Sequence, residues 1–169
     1  MIYGNADGFK EYLGSRGMSM TCSWTDDKIN SALLVASEWL DGLYEDSWIG
    51  YKADGYKQER SWPRKSAQVQ SYPFYTFKED EIPEQVVKAT YEAAYRHLNN
   101  NNALQTDYTP TKYKRVSVSG AVSVEYNDTT TGWTDVQTQF PIIQTLMSDL
   151  IDDDSSGSFS SLSGKAVRL

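Results

Sequence analysis

Apolar residues recur at helical spacing in four stretches of this chain. The clearest runs from Thr25 to Leu43, where Ile29, Leu33, Ala36, Leu40 and Leu43 form one stripe and Ala32, Val35 and Trp39 widen it. Thr25 is a capping hydroxyl, and Asp26 and Asp27 follow where the helix dipole favours acids. A second helix is predicted over Pro83 to Asn99. Pro83 stands at its first position, Val87, Tyr91, Ala94 and Leu98 form a stripe, and an asparagine run stops it. Asn5 to Leu13 predicts a short helix capped by Asn5 or Asp7. Pro141 to Asp152 predicts a last one, with Ile142, Ile143, Leu146, Met147, Leu150 and Ile151 apolar.

Between Tyr113 and Tyr126 the period changes to two. Val116, Val118, Val122, Val124 and Tyr126 alternate with polar residues, and Gly120 marks a bulge, a kink or a fold into a short ribbon. Such a strand cannot satisfy its own edges, so these five residues are expected to make a subunit contact. The fold class that results is mainly α: a small bundle of three to four helices with a long ordered loop, one β-strand or short ribbon and an extended C-terminal tail. Residues 1–154 form the helical domain, with the loop at 44–82 and the strand at 113–126. Residues 155–169 turn to Ser and Gly and form a flexible tail, either a docking arm or a frayed terminus.

Composition sharpens the picture of the loop. Aromatics reach 13% of the 169 residues, with 5 Trp and 12 Tyr, against a hydrophobic fraction of only 39%. Tyr44 to Phe77 holds Trp48, Tyr51, Tyr56, Trp62, Tyr72, Phe74, Tyr75 and Phe77, interleaved with Lys52, Lys57, Arg60, Arg64, Lys65 and Lys78 nearby. That is too aromatic for a disordered linker. Trp62-Pro63-Arg64 lies at its centre, and Pro63 stiffens the backbone that presents the indole and the guanidinium. The tripeptide reads as a structural anchor, together with Trp39, Trp48, Gly50 and Pro83.

Charge and chemistry remove several function classes. The net charge of −7 argues against simple electrostatic binding to nucleic acid, although aromatic faces beside cations are how single-stranded grooves stack bases. One histidine, His97, and one cysteine, Cys22, leave no zinc set, no intrachain disulfide and little room for a nucleophilic triad. No phosphate-cradling glycine loop occurs. The acidic run from Asp152 resembles the start of a calcium loop but has Ser163 where a bidentate Glu is needed. No cofactor, metal or enzymatic activity is expected. No leader or membrane-length apolar run is present, so the chain reads as soluble and made in the cytoplasm.

The order Ala36-Ser37-Glu38-Trp39-Leu40-Asp41, Trp48-Ile49-Gly50, Gln58, Ser61-Trp62-Pro63-Arg64 and Ile82-Pro83, followed by the 116–126 strand and the closing helix, resembles a known family. It is that of the head-to-tail adaptor proteins of tailed bacteriophages, also called head-completion or neck proteins. Many members carry a DnaT-like single-stranded-DNA-binding label. The chain departs from the pattern at Lys65-Ser66-Ala67-Gln68, where a glycine is usual, and at Tyr72 to Phe77, which looks like an insertion.

The resemblance implies a structural virion protein at the neck, forming a homo-oligomeric ring, commonly of twelve copies. Its partners would be the portal protein above and a tail or stopper protein below, with DNA passing through the lumen without sequence-specific binding. Phe159, Leu162, Lys165, Val167, Arg168 and Leu169 of the tail are the expected portal contact. The competing reading is a single-stranded-DNA-binding replication accessory protein, distinguished by a salt-dependent quench of Trp62 on adding oligonucleotide.

Overall fold

A computed structural model describes residues 1–69, 71–72, 75–101, 103–104 and 140–152, together with the backbone of 115–118 and 122–125. The protein is a mainly α fold in which, among the described residues, four helices are joined by irregular segments and short ribbons. Helix α1, Ala6–Ser15, starts at Asn5, whose side chain accepts from the Gly8 amide at 2.8 Å. Helix α2, Asp26–Tyr44, starts at Thr25, whose hydroxyl accepts from the Lys28 amide. Helix α3 spans Glu84–Asn99, with Pro83 at its N-cap rather than inside its first turn. Helix α4 spans Pro141–Met147 and tightens into a 3₁₀ turn over Ser148–Leu150. The last helix is therefore shorter than its apolar pattern predicts. Its final turn changes hydrogen-bond period because Ile49 N–H bonds the Leu150 carbonyl and Asp152 N–H bonds that of Ser47, drawing the chain into extended pairing.

The core forms between the stripes predicted for α2 and α3. Ile29, Ala32, Leu33, Ala36 and Leu40 meet Val86, Ala89, Ala93 and Ala94, with Phe9 and Leu13 of α1 and Ile143 and Met147 of α4 closing the sides. Alanines on α3 let α2 approach closely, and most of the large side chains come from the other elements. Tyr91 fits against Gly4 and Gly8, where any side chain would collide with its phenol. Its hydroxyl receives the Asn5 amide at 3.3 Å. A carboxyl group of α3 is taken inside as well. Glu92, fully buried, accepts from Tyr12 at 2.8 Å and from Arg96 at 2.6 Å, and Arg16 lies 3.4 Å away. A buried carboxylate persists only when paired in this way.

The 44–82 loop is ordered by small elements of its own. Strand β1, Tyr51–Lys52, pairs antiparallel with β2, Arg64–Lys65, and Gly55–Lys57 forms a 3₁₀ turn between them. The 113–126 region resolves the alternatives at Gly120 in favour of a ribbon. Strand β3, Arg115–Val118, pairs antiparallel with β4, Val122–Glu125, placing Val116 opposite Val124 and Val118 opposite Val122. Tyr126 and the tail residues Phe159, Leu162, Lys165, Val167, Arg168 and Leu169 lie outside the described residues.

Candidate nucleic-acid interface

The loop has an inside and an outside, and they differ in chemistry. Inside, Tyr44, Trp48, Trp62 and Phe77 form a chain of edge-to-face contacts with centroids 5.6, 5.9 and 5.6 Å apart, and the half-exposed Tyr75 ends it at the surface, 5.1 Å from Phe77. Trp62 is fully buried and follows the aromatic geometry that π quadrupoles favour. Its peptide bond to Pro63 is cis. Burial pushes the Tyr44 phenol up to about 12. Trp39 stands apart from this chain, half-buried and edge-on to Phe140 at 5.7 Å.

Arg64 ties the loop's turns together. Its guanidinium is buried and donates from Nε to the Ile49 carbonyl at 2.8 Å, from Nη2 to Gly50 at 2.6 Å and from Nη1 to Ser61 at 3.2 Å. Three backbone acceptors replace a carboxylate, and desolvation lowers its affinity for its own proton. Gly50 is required where this clamp closes. Its φ is +70°, and a Cβ there would lie 2.8 Å from the Ala67 nitrogen and collide with the Lys65 carbonyl. Gln58 completes the turn: its Nε2 donates to the Arg60 and Pro63 carbonyls and its Oε1 accepts from Asp54 N–H.

A polar network fixes this loop to α2 and the N-terminal strand of chain. Tyr3 donates its hydroxyl to Asp41 at 2.7 Å and accepts from Trp62 N–H at 3.0 Å. Arg60, also buried, donates to the Met1 carbonyl at 2.7 Å and to Glu38, and stands 3.7 Å from Asp41. Burial raises the Asp41 carboxyl above its ordinary value even though Tyr3, Ser61 and Arg60 all favour the charged form. The same burial and the Asp41 charge push the Tyr3 phenol far up.

Outside, the aromatic residues among those described are tyrosines. Tyr56 is fully exposed, Tyr51 and Tyr72 are 75% and 68% exposed, and Tyr75 is half-exposed. Lys52 follows Tyr51 and Lys57 follows Tyr56, while Lys65 faces Tyr51 across the β1–β2 register. Of the six cations the sequence interleaves here, Arg60 and Arg64 are withdrawn into the interior, which leaves four lysines for a ligand. Trp62 is likewise withdrawn and cannot stack on a base.

Of the anchor residues expected from sequence, Trp48, Gly50, Trp62, Pro63 and Arg64 come together around the clamp. Pro83 sits at the start of α3, and Trp39 packs on α4. Sequence reasoning grouped all the loop aromatics and did not separate the exposed tyrosines from the buried indoles. The repeated Tyr-Lys dipeptides at 51–52 and 56–57 were the available signal. It also missed Tyr3, Asp41 and Glu92, whose partners are remote in sequence. Among the described residues no cluster of His, Cys, Asp and Glu could hold a metal ion, and no helix is long and apolar enough to cross a membrane.

Over residues 3–169 the sequence matches the family described as "Putative DnaT-like ssDNA binding protein". The chain belongs to that family. No curated protein and no solved structure matches it. The DnaT-like family is described by single-stranded-DNA binding, and this corrects the expectation of a structural neck protein that forms a ring between portal and tail. That expectation rested on the resemblance carried by the order Trp48-Ile49-Gly50, Trp62-Pro63-Arg64 and Ile82-Pro83, with the aromatic loop read as an anchor. The loop divides instead, and its tyrosine side is left open.

Proposed function

We propose that this chain binds single-stranded DNA through the outer surface of the 44–82 loop. The observation that carries the reading is the set of exposed tyrosines, Tyr51, Tyr56 and Tyr72, with the half-exposed Tyr75 beside them, on a loop whose Trp48, Trp62 and Phe77 are committed to the interior. Bases would stack on the phenol rings, and Lys52, Lys57 and Lys65 would meet the phosphates between them. Stacking is indifferent to base identity, so binding would tolerate sequence. The family description supports the same reading. No catalytic role belongs to it.

The electrostatic contribution is small. With three lysines neutralising phosphates, log K would fall against log salt with a slope of about −2, using the factor for single strands. Stacking therefore carries most of the affinity. Fluorescence anisotropy of a labelled oligothymidine at low salt tests this. Tyr51→Ala with Tyr56→Ala is expected to weaken binding by about 30-fold to about 10,000-fold, at roughly 1–3 kcal/mol for each of the two stacked bases. An unchanged affinity in that variant, or no binding by the wild-type protein at low salt, would overturn the reading.

A further inference from the structure

Three hydrogen-bond donors that neighbour the exposed tyrosines are already held by carboxylates of the same chain. Lys52, beside Tyr51, lies 3.5 Å from Glu45 Oε1. Lys65, opposite Tyr51 in the ribbon, lies 3.5 Å from Glu79 Oε2. Ser71, beside Tyr72, donates to Asp149 Oδ1 at 2.6 Å. Asp149 comes from outside the loop and is delivered by the 3₁₀ turn after α4, which the Ile49–Leu150 and Ser47–Asp152 backbone bonds fasten to the base of β1.

These are the donors a phosphodiester would use. We propose that Glu45, Glu79 and Asp149 mask the interface, holding its phosphate-binding groups in internal pairs that a nucleic acid must displace. The inference rests on the DNA-binding reading above and adds how that site is regulated. Pairs this exposed are weak, so displacement is feasible, but each one lowers affinity. The masking also sets a preference for length. A single nucleotide offers one phosphate and displaces one carboxylate, whereas a strand displaces all three together and is held by several stacked bases at once.

The test uses the full chain and a labelled oligothymidine of about 15 nucleotides at low ionic strength. Glu79→Gln and Asp149→Asn are each expected to tighten binding about 2- to 5-fold, and the triple variant with Glu45→Gln about 10- to 100-fold, with the gain fading in high salt. Asp149→Glu, which keeps the charge, should bind like wild type. Asp27→Asn removes a carboxylate that bonds no loop residue and should also leave affinity unchanged. The inference is overturned if wild type binds and the single and triple neutralised variants bind no tighter, or if Asp27→Asn tightens binding as much as Asp149→Asn. If none of these proteins binds the oligonucleotide, the DNA-binding reading falls and this inference falls with it.

Discussion

Trp48, Trp62 and Phe77 lie within the same stretch of chain as Tyr51, Tyr56 and Tyr72, and the two sets occupy opposite environments. Those in the interior give up nearly all contact with water and pack edge-on. Those at the surface carry a hydroxyl that keeps them soluble while leaving a ring face free. The proposed interface would thus make one aromatic-rich loop scaffold and binding surface together, with rigidity from residues that no ligand can reach and adhesion from residues that the fold does not need.

That division makes distinct demands on each side. The largest expected effect is from Trp62→Ala, which should cost about 3–5 kcal/mol in urea denaturation by emptying a fully buried aromatic site. A variant that kept its midpoint would place Trp62 among the surface residues after all. Gly50→Ala comes next, at about 2–4 kcal/mol, because it combines a left-handed backbone with a collision against the β2 chain. A loss below about 0.5 kcal/mol would mean that the clamp relaxes freely.

The outer tyrosines should behave in the opposite way. Tyr51→Ala and Tyr56→Ala should each leave stability within about 0.5 kcal/mol of wild type while weakening oligonucleotide binding. Stability loss without binding loss would merge the two classes. The smallest effect concerns pH. Because burial raises the Asp41 carboxyl above 3.8, the folded state takes up a proton there before the unfolded chain does. The cost of its charge is therefore relieved as pH falls through the folded value towards 3.8, and is fully present above that window. Compared with Asp41→Asn, wild type should lose relative stability as pH rises from that value to neutrality. A gap between the two proteins that ignores pH would refute this.

Much of the helical framework was legible because its signals are local. Asn5 and Thr25 cap within three residues of themselves, and the α2 and α3 stripes repeat within a few turns. The shortening of α4 was not legible, since its cause is a pairing with Ser47 and Ile49 about a hundred residues earlier in the chain. The loop could be recognised as ordered from its aromatics. Its two sides could not be told apart, because neither periodicity nor propensity records which way a short irregular ribbon faces. Arg64 reads as an anchor from its place beside Pro63, whereas nothing in the sequence neighbours of Arg60 reveals the Met1 carbonyl and the remote carboxylates of Glu38 and Asp41 that take it inside.

The bond from Trp62 N–H to the Tyr3 hydroxyl joins groups 59 residues apart, Ser71 to Asp149 spans 78, and Tyr12 to Glu92 spans 80. Long closures of this kind must lose their chain entropy before their contacts return anything, so rates fall as mean contact separation rises. This mainly α fold is thus expected to acquire its final state more slowly than an ordinary helical bundle. Stopped-flow refolding should find helix formed early, with the tryptophans reaching their native emission only in the last, slowest step.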